Sequence, residues 1–147
     1  MLRPILACAL IVALLAALQG CATRPPSNTR RIERTMTVTA YCSCKKCANW
    51  KRTWLGRTVI ASGPNKGKPK KVGITASGTK AKRGTIAADT TRYPFGTVMD
   101  VPGYGKGRVE DRGSAIKGDR IDVYFKRHKK ALQWGRRTLR VTVWLPR

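Results

Sequence analysis

From Thr35 onward the chain alternates apolar and polar residues in short runs, and a glycine or proline interrupts nearly every gap between them. A period of two puts side chains alternately on the two faces of an extended strand, so the pattern predicts many short strands. Residues 35–41 (TMTVTAY) are rich in β-branched residues and have one apolar face. Residues 97–101 run into the Pro102-Gly103 turn. In residues 120–125, Ile121, Val123 and Phe125 oppose Arg120, Asp122 and Tyr124, and residues 139–144 form the last alternating run. Residues 58–61, 72–74, 84–87 and 107–111 are weaker strand segments. Only residues 126–134 (KRHKKALQW) have a helical pattern, with Gly135 placed to end it. The expectation is an all-β, compact barrel of about six strands with one short helix.

The N-terminus has a different character. Met1-Leu2-Arg3 is a short basic start, and residues 5–18 are continuously apolar. That run is shorter than the roughly 20 residues a spanning helix needs, and it fits the core of a signal peptide. It ends in Leu18-Gln19-Gly20-Cys21, which resembles a bacterial lipobox. The reading is a lipoprotein signal peptide over residues 1–20, with Cys21 lipidated and at the new N-terminus. A Pro-, Ser- and Arg-rich flexible tether follows over residues 21–33, and the folded domain over 34–147. Ala22 after the cysteine suggests, by resemblance to Gram-negative lipoproteins, a lipid anchor in the outer membrane facing the periplasm.

With 31 Lys and Arg against 7 Asp and Glu, the net charge is +24. A cytosolic chain this basic would suggest nucleic acid. Behind an export signal the expected anions are instead phospholipid or lipopolysaccharide head groups and cell-wall carboxylates, and no nucleic acid. Six of the seven carboxylates lie between Asp89 and Asp122. By alternation Asp122 and Tyr124 share one strand face, and Val109 and Asp111 share another. Asp111 and Asp122 can then look into one groove if their strands are neighbours. Asp100 and Asp119 adjoin turns and read as turn or surface residues, and Glu110 as an ion-pair partner.

These segments resemble the 3D (Asp-Asp-Asp) domain family, which includes the C-terminal part of membrane-bound lytic transglycosylase A. The shared motifs are Thr37-Val38-Thr39-Ala40-Tyr41, Thr75-Ala76-Ser77-Gly78, Asp89 ahead of Pro94-Phe95-Gly96-Thr97, Asp111-Arg112-Gly113-Ser114-Ala115-Ile116-Lys117-Gly118, and Ile121-Asp122. They occur in the family's order. Ser114 replaces the family's usual second glycine, and Arg112 stands where a small or neutral residue is common. The resemblance implies a double-psi β-barrel acting on peptidoglycan glycan strands without a cofactor. The implied reaction is non-hydrolytic cleavage of the β-1,4 bond between N-acetylmuramic acid and N-acetylglucosamine, closing a 1,6-anhydro ring. Asp122 would be acid and then base. Asp111, and more weakly Asp89, would orient it and stabilise positive charge, while Thr75, Ser77 and Tyr124 would bind substrate. Both Asp89 and Asp111 have an alternative use in holding loops through Asx turns. The alternative function is a noncatalytic cell-wall-binding lipoprotein module on the same barrel. If the Arg120 guanidinium reached Asp122, the acid would stay ionised.

Other site chemistry has less support. His128, the lone histidine, sits in a basic helical stretch and is read as solvated. Cys42, Cys44 and Cys47 have metal-like spacing, but zinc takes four ligands and no fourth is visible nearby in sequence. The expectation is therefore one disulfide among the three and no metal, as suits an exported chain.

Overall fold

Strands β1 (Thr29–Tyr41) and β8 (Arg137–Pro146) pair antiparallel from Thr29↔Pro146 to Val38↔Arg137, forming the longest ladder in the fold. This is a computed structural model, and it describes residues 25–147. The leader and Cys21 lie outside the described residues. The first residues of β1 correct the tether boundary: residues 29–33, expected to be flexible, are paired with the end of β8. Their composition is that of a linker, and the partner strand alone makes them extended.

Between these strands run α1 (Lys45–Ala48), β2 (Trp50–Arg52), β3 (Thr58–Ile60), β4 (Thr85–Ala87), β5 (Val98–Val101), β6 (Gly105–Asp111), β7 (Arg120–Tyr124) and α2 (His128–Trp134). Six strands close a barrel in the order β1-β7-β4-β6-β5-β8, and β2 and β3 form a separate two-stranded sheet. β1 pairs parallel with β7, and β4 pairs parallel with β6, while β4 and β7 between them are antiparallel. These two parallel pairs, joined across the antiparallel β4–β7 contact, make the closed six-stranded barrel a mixed one. The helix count differs from expectation: among the described residues there are two short helices, because the cysteine-rich segment turns once as α1. Residues 72–74 do not form a strand, and Ile74 makes only an isolated bridge to Lys80.

The inward face follows the alternation. Met36, Val38, Ile86, Met99, Val109, Ile121, Val123, Val141 and Val143 are all at most 1% exposed and fill the barrel. Each such side chain contributes about 1.5–3 kcal/mol by leaving water. Gly107 lets β6 approach β4, since a Cβ there would lie 2.6 Å from the Gly84 carbonyl and 2.8 Å from the Ile86 side chain. Helix α2 covers one end of the barrel with Ala131 and Trp134 and stops at Gly135, where φ is +66°.

Candidate functional site

The residue that organises the site is Ala87 at the end of β4. It pairs with Asp122 of β7 on one side and with Asp111 of β6 on the other. The strands carrying the two acids are therefore not neighbours; β4 separates them. At the usual strand spacing their backbones lie about 10 Å apart, with both side chains on the outer face of the barrel.

A register shift makes this possible. β4 and β6 pair as Ile86↔Val109 and then Ala87↔Asp111, so Glu110 is an extra residue in the ladder. Plain alternation would put Asp111 on the same face as Val109, which is fully buried in the core. The bulge reverses that, turning Asp111 to the face that holds Asp122. Glu110, expected in an ion pair, instead has its carboxylate accepting a 2.8 Å hydrogen bond from the Thr85 hydroxyl.

Asp122 is partly buried, and burial pushes its carboxyl above the ordinary aspartate range. The Arg120 charge opposes the shift and the Asp111 charge adds to it. Arg120 makes no ion pair with Asp122 among the described residues, so the acid is not clamped in its ionised form. The Thr39 hydroxyl, opposite Asp122 in the parallel β1–β7 ladder, donates to Asp122 Oδ1.

Asp111 is fixed by three donors. The Tyr41 hydroxyl lies 2.9 Å from Oδ2, while the Ala76 and Arg112 backbone N–H groups lie 3.0 and 2.9 Å from Oδ1. Tyr41 packs edge-on against Tyr124, with ring centroids 5.4 Å apart. Burial, reinforced by Asp111, raises the Tyr41 pKa, so it remains a hydrogen-bond donor. Tyr41 and Thr39 complete the site and were not singled out from sequence. Both lie on one face of the TVTAY motif, but their partners come from strands remote in the chain.

The other expected site residues are engaged locally. The buried Thr75 hydroxyl lies 3.1 Å from Ser77 Oγ and 2.9 Å from Thr79 Oγ1, closing the turn that aims the Ala76 N–H at Asp111. Ser77 is exposed. The Tyr124 hydroxyl is 3.1 Å from Ser43 Oγ. Asp89 accepts from the Thr91 hydroxyl at 2.7 Å and from the Gly118 N–H at 2.9 Å. The Gly118 hydrogen bond is the main reason its carboxyl lies below the usual range. Asp89 thus ties the loop after β4 to the end of the loop after β6. These loops border an open depression of about 410 Å³ lined by residues including Asp89, Arg112, Ser114 and Lys117.

His128 departs from its expected place on a solvated face. As the first residue of α2 it is partly buried, and its Nδ1 lies 3.7, 3.5 and 3.4 Å from the sulfurs of Cys42, Cys44 and Cys47. All three cysteines are free thiols, so the expected disulfide is not formed here. The four ligand atoms lie within 4.8 Å of one another, supplying the fourth metal-binding group that the sequence did not reveal.

The described residues thus form a six-stranded barrel with two aspartates beside one short strand. Residues 84–145 match the model of the 3D domain family. Asp89, Asp111 and Asp122 all lie within the match. Two Bacillus subtilis (strain 168) proteins are similar over 75 residues. YabE, named for cell wall shaping, is 39% identical over 48% of this chain and 18% of its own length. The cell wall-binding protein YocH is 37% identical over 48% of this chain and 26% of its own length. The match thus spans only a small part of either relative. Among solved structures, the crystal structure of MltA from E. coli has 24% identity and a TM-score of 0.42, covering 54% of this chain and 30% of MltA. E. coli MltA with bound chitohexaose gives 23% identity and a TM-score of 0.43 over the same shares.

Proposed function

We propose that this domain is a lytic transglycosylase that cuts the β-1,4 bond between N-acetylmuramic acid and N-acetylglucosamine in peptidoglycan. The observation that carries the reading is Asp122: burial holds its carboxyl toward the protonated form, yet it sits on the outer face, two strands from a fixed carboxylate. In the proposed reaction Asp122 gives its proton to the glycosidic oxygen as the bond to the muramyl anomeric carbon breaks. The N-acetylglucosamine part leaves with its hydroxyl restored. The C6 hydroxyl of the muramyl residue then bonds to the anomeric carbon and returns a proton to Asp122. Atoms balance without water. One group acting first as acid and then as base needs a pKa drawn toward working pH, and burial supplies that direction.

Asp111 is the group that opposes the positive charge developing at the anomeric carbon, and its three donors keep it in place. Asp89 acts at one remove, by holding the loop that follows Asp111. Thr75 shapes the turn, leaving Ser77 as the hydroxyl better exposed to a glycan. The names of the similar proteins support a cell-wall substrate. In this reading Cys21 anchors the domain in the outer membrane, and its strong positive charge (+24 over the full sequence) draws it to anionic wall and lipid groups.

Incubation with purified sacculi tests the reading through release of 1,6-anhydromuropeptides. Release by the wild type that is lost in Asp122→Asn supports it. A wild type that sediments with sacculi and releases nothing would instead be a wall-binding module.

A further inference from the structure

The helix between β1 and β2 has little of its own to hold it. Helix α1 has four residues, buries no side chain and has no side-chain cap. A helix this short is not stable alone in water. Yet this segment brings three sulfurs onto one ring nitrogen of a residue more than eighty positions away, at 3.7, 3.5 and 3.4 Å.

Hydrogen bonding does not account for that convergence. A neutral imidazole Nδ1 either donates one proton or accepts at one lone pair, so a single thiol satisfies it. A disulfide would use two of the three sulfurs and leave the third thiol and the histidine without a role. A tetrahedral zinc centre uses all four groups. With Zn–S near 2.3 Å and Zn–N near 2.0–2.1 Å, a tetrahedron places sulfur and nitrogen about 3.6 Å apart. The three observed separations straddle that value.

We propose that Cys42, Cys44, Cys47 and His128 bind one Zn²⁺ in a closed tetrahedral site that fastens the end of β1 to the start of α2. Thiolate and imidazole donors select a borderline-soft dication, and a full set of four protein ligands marks a structural site with no open position. Binding releases the three thiol protons to solvent. The resulting complex carries one net negative charge, and Lys45, Lys46, Lys129 and Lys130 adjoin its ligands in a strongly basic chain. The clip also bears on the aspartate site. Tyr41, which holds Asp111, directly precedes Cys42, and Ser43 beside it contacts the Tyr124 hydroxyl.

The test uses the full chain recovered from the cell envelope without reductant. Elemental analysis and native mass spectrometry should find one zinc per chain and three cysteines outside any disulfide. Exchange of the metal for Co²⁺ should produce the strong absorption bands of tetrahedral, thiolate-ligated cobalt, reversed by equimolar zinc. Cys47→Ser should abolish those bands, and His128→Ala should lose zinc to a chelator that leaves the wild type loaded. Circular dichroism of each variant separates loss of metal from loss of the barrel. A disulfide within the trio in the envelope-derived protein, or a reduced wild type that gives no cobalt bands, would overturn the proposal. Neither readout depends on glycan cleavage, so the metal site and the transglycosylase reading stand or fall separately.

Discussion

The Tyr41 hydroxyl reaches Asp111 Oδ2 at 2.9 Å although β1 and β6 are not adjacent: β7 and β4 lie between them in the barrel. The side chain therefore crosses above the strands that carry Asp122 and Ala87. It joins the two acids through packing, with its hydroxyl on one and its neighbour Thr39 hydrogen-bonded to the other.

Tyr41→Phe keeps the ring packed on Tyr124 and removes only the donor. The expected result is a smaller loss of anhydromuropeptide release than in Asp122→Asn, with the fold intact by circular dichroism. Hydrogen bonds to charged groups contribute about 1.5–3 kcal/mol. A rate loss between about tenfold and a hundredfold fits that range, and an unchanged rate would remove Tyr41 from the site.

Asp122→Asn should lower turnover by about 10²–10⁴-fold, the usual contribution of a general acid–base group. It should also raise thermal stability at neutral pH. The folded carboxyl is shifted upward by burial, so between the unfolded value near 3.9 and the folded value the native state holds more protons. Stability from this group is complete at low pH and lost as pH rises through the folded pKa. The asparagine lacks that titration, so its advantage in melting temperature should shrink as pH falls through the folded pKa and be gone by about pH 4, near the unfolded value. A variant less stable than wild type at pH 7 would contradict the burial argument.

Gly107→Ala tests the close approach of β6 to β4. A Cβ 2.6 Å from the backbone carbonyl of Gly84 cannot be relieved by a rotamer change. Overpacking of this kind typically costs about 1–3 kcal/mol. Urea unfolding should show a lower midpoint with a similar slope.

Cys21→Ser should release the protein from the membrane fraction or leave it as unprocessed precursor. Acyl labelling of the wild type is the check. A wild type without acyl label, together with unchanged fractionation of the variant, would rule out the anchor.

The barrel was largely legible in the chain because its core follows a period of two: Ile121 and Val123 in β7, and Val141 and Val143 in β8, alternate inward with polar neighbours outward. Residues 29–33 were not legible, since nothing in an Arg-rich stretch signals a strand until β8 pairs with it. At the site, alternation gave Asp122 its face but misassigned Asp111, whose direction depends on one extra residue at Glu110. A bulge depends on where two strands fall into register, which the sequence of one strand does not contain. The same limit hid the thiol cluster. The cysteine spacing is local and visible, but His128 reaches it only because β7 lies parallel to β1, bringing the start of α2 beside the end of β1. Composition and periodicity thus determined most of the strands and the core, and composition showed six of the seven carboxylates clustered between Asp89 and Asp122. Strand pairing between distant segments decided which side chains meet, because contact at a site is set by the closed barrel and not by distance along the chain.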